Sequence, residues 1–194
     1  MWTTVPRAGL GPAAVTEAAA VLVDEIGVAQ LSMSILAQRL GVKAPSLYKH
    51  VGGLPDLTRR VAVLATTELG DALRDAMQGR AGRDALEAAA YAVRRYVKHH
   101  PGRYAATVGI RPIDVDDPLA VALERTLESF AAALRGYVLD PADEIHALRM
   151  LRSSLHGFAS LEGSDGFQLG TDVDESFVWM IDNLDRGLRA TAAR

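Results

Sequence analysis

The chain has no cysteine. Disulfides and thiolate metal ligands are thereby excluded, and the composition suits a reducing cytoplasm. No long hydrophobic run is present. The longest uncharged stretch, Ile26 to Gln38, contains Gln30, Ser32 and Ser34 and reaches only about half a bilayer span, so no membrane partner is expected. A secretory leader is not expected either, because Glu17 and Asp24 interrupt the first apolar stretch and no basic segment precedes it. Runs of β-branched residues are few, and no internal repeat or low-complexity segment stands out. Positive net charge is also lacking, at −3 overall, which taken alone argues against a nucleic-acid partner.

What is there changes that reading. The chain is 194 residues long and 49% apolar, rich in alanine and leucine, which favours an all-α globular protein. Charge is unevenly spread. Residues 1–60 carry six basic and four acidic side chains, and the remainder carries 15 basic and 20 acidic. The basic excess lies where phosphate binding would need it.

That basic part contains the segment Ser32 to Val51. Its spacing predicts two short helices joined by a glycine turn. Leu36, Ala37 and Leu40 form the apolar face of the first, Gly41 supplies the turn, Val42 fills the corner, and Leu47 points inward from the second. The small Ala37 permits close approach, and Gly41 tolerates positive φ. This is a helix-turn-helix pattern. The second helix is expected from about Ala44 to His50. An ordinary αα-hairpin has the same spacing, so the surroundings must decide.

Before this pair, a loose arm is expected over residues 1–11, with Arg7 in it, followed by a helix from Pro12 to Ile26 closed by Gly27. Beyond it, helices are expected from Pro55 or Asp56 to Gln78, Asp84 to His100, Arg103 to Gly109, Leu119 to Tyr137, Pro141 to Glu162 and Asp174 to Ala190. The division expected is a DNA-binding domain at 1–55 and a ligand-binding and dimerisation domain at 56–194. The last two helices are apolar over more than one stripe, so one stripe should meet a second copy of the chain. The residues assigned to that homodimer interface are Leu151, Ser154, Leu155, Phe158, Phe177, Ile181, Leu184 and Leu188.

Ala18-Ala19, Gly27, Leu36 to Val42 and Ser46 to His50 together resemble the TetR family of bacterial transcriptional regulators. A second resemblance, through Leu155-His156-Gly157-Phe158, Leu161-Glu162 and Glu175-Ser176-Phe177, is to the C-terminal domain of the subgroup named for a Trp-His-Gly motif. Leu155 stands at its tryptophan position. Val51 and Leu54 stand where the family has Phe and Lys, so one phosphate contact is lost. Arg59 or Arg60 would have to compensate.

The resemblance implies a ligand-responsive repressor, not an enzyme, that binds a pseudopalindromic double-stranded operator as a dimer and is released by a small-molecule effector. Tyr48 and His50 are expected on phosphates, Ser32 as a helix cap close to a phosphate, and Lys43, Ala44, Pro45, Ser46 and Lys49 at base edges. Arg, Asn and Gln are missing from the second helix, so DNA shape, or the arm and Ser34, should supply part of the specificity. Pocket candidates are Tyr91, Arg94, Tyr104, Phe130, His146 and Met150. No cofactor is expected. The pair His99-His100 and the run Asp114, Asp116, Asp117 lack ligand spacing, so no metal is expected either. A helical interaction module without DNA binding, or a helical enzyme, are the alternatives. The enzyme would need a nucleophile–base pair or metal cluster that the sequence does not display.

Overall fold

The computed structural model describes residues 10–193, and the arm with Arg7 lies largely outside them. Among the described residues the chain is all helical. Its α-helices are α1 (Pro12–Ile26), α2 (Met33–Leu40), α3 (Ala44–Leu47), α4 (Leu54–Met77), α5 (Gly82–His99), α6 (Pro101–Thr107), α7 (Pro118–Leu134), α8 (Pro141–Gly163) and α9 (Val173–Ala192). Two 3-10 turns, Val28–Gln30 and Arg135–Tyr137, interrupt the connections.

The chain forms two compact units, and they do not follow a single cut. One comprises the described part of Met1–Thr66 together with His100–Ala120, and the other comprises Thr67–His99 with Val121–Arg194 as far as described. A division at residue 55 places α6 and the loop after it with the second unit. In the structure they pack with the first.

The core of the first unit is built from the apolar stripes of α1 to α4. Val15, Ala19, Leu22 and Val23 of α1 meet Leu36 and Ala37 of α2, Leu47 of α3, and Leu57 and Val61 of α4. Val51 is buried in this core and Leu54 packs against it, so both departures from the family pattern serve packing here. Ala106 of α6 joins the same cluster. Gly102 lies so close to α1 that an added Cβ would overlap the Val23 carbonyl.

In the second unit, α8 and α9 pack on α5 and on each other. Most of the expected interface stripe is taken up by this packing. Leu151, Leu155, Phe177, Ile181, Leu184 and Leu188 are buried within the single chain, and Ser154 and Phe158 are half-buried. The reason is geometric: the stripe with the most apolar surface is the one the chain's own core takes. The stripe left outward carries Met150, Leu161, Val178 and Trp179, with Trp179 68% exposed.

Two helix ends also differ. The α-helix of α3 stops at Leu47, because beyond it His50 N–H bonds Leu47 O at 2.9 Å in the tighter i to i+3 pattern. Likewise α7 stops at Leu134 and tightens into the 3-10 turn that buries Tyr137. The Tyr137 hydroxyl donates to Asp185 of α9 at 2.7 Å. Burial and the carboxylate acceptor both push the phenol well above its usual range.

Candidate nucleic-acid interface

The exposed side of the first unit is set by local chain chemistry. Ser32 caps α2, its hydroxyl accepting the Ile35 N–H at 3.2 Å. Gly41 takes φ 67° at the end of α2, a conformation that favours glycine. Its N–H and that of Val42 close onto the last carbonyls of α2. Pro45 sits in the first turn of α3, where its missing N–H costs nothing. Leu47 is fully buried, so α3 is anchored by one side chain and presents the rest.

The presented residues are those picked from the sequence. Lys43, Pro45, Tyr48 and Lys49 are exposed, while Ala44, Ser46 and His50 are half-exposed. Tyr48, at 59% exposure, is not a core aromatic. Its ring edge stands 3.9 Å from where a Cβ on Gly53 would lie, so the glycine turn leaves room beside the ring. Ser34 is exposed on α2 and Ser32 half-exposed at its start. The Ser46 hydroxyl donates to Lys43 O at 2.6 Å, which ties it to the backbone at the start of α3.

Two features here are not singled out in the sequence reading. Asp56 accepts the Gly52 N–H at 2.8 Å and Arg60 Nε at 2.9 Å, which fixes the turn between α3 and α4. The Gly52 N–H, and after it Arg60, hold this carboxyl below the usual aspartate range. The i, i+4 spacing of Asp56 and Arg60 is its only trace in the sequence. Glu25 of α1 and Arg39 of α2 form a two-pronged pair at 2.5 and 2.6 Å, locking those helices together. Arg39 holds Glu25 below its usual range. The compensating arginines are both engaged: Arg60 with Asp56, and Arg59 with Asp117 and the Arg111 carbonyl.

The pocket candidates do not converge. Tyr104 belongs to the first unit. Phe130 is buried in the core of the second, and His146 and Met150 are exposed on α8. Arg94 is committed elsewhere. It makes a two-pronged pair with Glu162 at 2.6 and 2.7 Å and an ion pair with Asp174 at 2.5 Å. Its guanidinium also lies 4.6 Å from the Phe177 ring centre and 5.7 Å from that of Phe158. Arg94 in turn holds Glu162 below the usual range. Tyr91 packs edge-on against Phe177, ring centres 5.2 Å apart. It also lines an open groove of about 390 Å³ with Arg80, Asp84, Glu87 and Arg95. A second groove of about 390 Å³ runs along Leu134, Arg135, Val138, Leu139, Ile145 and Leu148. The sequence reading did not foresee the second.

The histidine and aspartate motifs have other partners. His99 Nδ1 bonds the Arg95 carbonyl at 2.8 Å, His100 pairs with Asp24, and Asp117 with Arg59. His156 lies near Ser160, four residues on, at 3.5 Å. No helix among the described residues is long and apolar enough to cross a membrane.

Comparison with known proteins agrees with this architecture. Residues 86–184 match the family model described as the tetracyclin repressor-like C-terminal domain. The chain is 36% identical to an uncharacterized HTH-type transcriptional regulator of Mycobacterium tuberculosis, Rv0681, over 93% of this chain and 83% of that one. By fold it is similar to a TetR of Acinetobacter baumannii solved with minocycline. That likeness has a TM-score of 0.71 and 22% identity, covering 95% of this chain and 99% of the other. It is also similar to BioQ solved with its double-stranded DNA operator, with a TM-score of 0.69 and 22% identity over 94% and 99% of the two chains. The family is one of regulators rather than enzymes. With its helix-turn-helix, its all-helical second unit and these matches, the chain belongs to the TetR family of transcriptional regulators.

Proposed function

We propose that the protein is a cytoplasmic repressor that binds a pseudopalindromic operator as a homodimer and is released by a small molecule. The observation that carries the reading is the exposure of Ser34, Lys43, Pro45, Tyr48 and Lys49 on a helix pair whose interior is closed by Leu36, Ala37 and Leu47. Two such surfaces related by a two-fold axis would read half-sites about one helical turn apart. Lys43 and Lys49 suit guanine edges or phosphates, Ala44 and Pro45 a thymine methyl, and Tyr48 and His50 phosphates. With few bidentate readers in α3, DNA shape supplies part of the specificity.

The dimer surface we assign is the outward stripe, Met150 and Leu161 of α8 with Val178 and Trp179 of α9. Gly157 lies between the first two, with open space where its Cβ would be, which permits close helix approach. For the effector, the BioQ and minocycline-bound relatives support a DNA-binding unit and a ligand-binding unit in one chain. The grooves described above are the places to look. Effector and DNA would then weaken each other by the same factor.

The test is fluorescence anisotropy with duplexes from the gene's own upstream region across a salt series. Tight binding that falls steeply with salt is expected. A flat salt response, or no binding, would overturn the reading in favour of a protein-interaction module. Lys43→Ala with Lys49→Ala should remove discrimination between the retained duplex and a scrambled one.

A further inference from the structure

Val138 follows the 3-10 turn after α7 and has φ 52° and ψ 53°. A β-branched side chain is strained in this left-handed region. The turn is pinned on both sides. A Cβ on Gly136 would overlap the Gly82 backbone, and Tyr137 is buried with its hydroxyl on Asp185 at 2.7 Å. These contacts hold the strain in place. The Val138 side chain gains no burial from it, being 83% exposed. It lines the groove of about 390 Å³ between the end of α7 and the start of α8.

Leu134, Leu139, Ile145 and Leu148 make the groove apolar, and Ile145 is 59% exposed. Its volume falls in the range of small-molecule sites, on the order of 300–1,000 Å³. The charged residues on its lining are Arg135 and Glu144. Two more arginines continue its α8 side. Arg149 stands four residues after Ile145, and Arg152 four after Leu148, so each shares the face of the residue before it. Helical side chains lean toward the N-terminus, which lays both guanidinium groups back toward the groove. Arg135, Arg149 and Arg152 are all exposed. Among the described residues none of them pairs with an acid, while Arg83, Arg94 and Arg189 of the same unit each do. The cations along the groove thus outnumber its single carboxylate.

We propose that this groove binds a linear apolar carboxylate, its chain along Leu139, Ile145 and Leu148 beside Val138 and its carboxylate on the arginines of the rim. The proposal rests on the effector reading above, to which it gives a chemical class. A neutral chain would leave the arginines without a partner, and a cationic one would meet them with like charge. Val138 gains from the bound chain the burial it lacks without it.

The experiment titrates the full-length protein calorimetrically with decanoate, decanol and decyltrimethylammonium, first without DNA. Decanoate is expected to bind tightest. Arg149→Gln with Arg152→Gln should weaken decanoate about fivefold and leave decanol unchanged. Ile145→Asn should weaken it about tenfold and, because Ile145 is exposed, keep the melting temperature. Val138→Gly separates site from scaffold: relief of the positive φ should raise the melting temperature, while the lost side chain should weaken decanoate. A Val138→Gly protein that melts later with decanoate affinity intact would overturn the proposal. So would equal affinity for decanol, tighter binding of the cation, or a decanoate affinity that none of these substitutions moves. An Ile145→Asn protein that loses self-association, from a wild type that binds no decanoate, would give the groove to a second copy of the chain instead. A last arm adds the upstream duplex that the wild type retains. Decanoate that fills the groove without releasing the duplex would overturn the effector reading and leave the binding site standing.

Discussion

The two units differ in what a hydrophobic stripe means. In the first, most apolar residues of α1 to α3 turn inward, with Val21 and Ile35 among the exceptions, and the polar remainder includes the candidate DNA surface. In the second, α8 and α9 each have two apolar stripes, and the richer one is consumed by the chain's own core. Periodicity tells which residues share a helix face. It does not tell which of two apolar faces a helix keeps for itself. That is decided by how much surface its neighbours need to bury.

The sharpest way to break this comparison is Leu155→Ala. If Leu155 is core, the change costs about 2–5 kcal/mol of unfolding free energy by denaturant titration. If it were an interface residue, stability at high dilution would hardly move. Next is Arg94→Ala. It strips the partner from Glu162 inside the second unit, and a loss of roughly 3 kcal/mol is expected. The linked pH effect has a definite sign. Glu162 titrates below the ordinary glutamate range when folded, so its contribution is complete above that range and disappears as pH falls through the lowered value. Glu162→Gln should therefore flatten the acid limb of a stability-against-pH profile.

In the first unit, Ser32→Ala removes the α2 cap and should cost about 1 kcal/mol by thermal unfolding. The smallest stability effect belongs to the outward stripe. Leu161→Lys with Trp179→Lys should change the monomer's unfolding free energy by about 0.5 kcal/mol or less. Sedimentation should nevertheless show the dimer lost. A dimer that survives both changes would place the interface elsewhere.

Much of the first unit was legible in the sequence. Pro12, Gly27, Ser32 and Gly41 act where they stand, because caps and turns are local chemistry. The exposure of Tyr48 followed from the same helix pair. What was not legible is nonlocal. Asp24 and Arg103 are far apart in the chain, as are Arg94 and Glu162, and no spacing rule joins them. The pocket candidates are not brought together, for a related reason. Aromatic and charged residues on helices are read one helix at a time, but Arg94 had already found two acids and two rings on other helices. The 1–55 division missed the return of residues 100–120, which carry no composition shift to announce it.

That return bears on how the protein is made. The reading head contains Ala106, Asp117 and Leu119, so its packing is incomplete when α1 to α4 have left the ribosome. It must wait for α5, which belongs to the other unit, to be synthesised and passed. Contacts such as Arg59 with Asp117 close a loop of more than half a hundred residues, which slows assembly by raising contact order. A chain stopped between α4 and α6 would hold the apolar seat of Ala106 open to solvent. The order of synthesis thus ties completion of the first unit's packing to passage through the second.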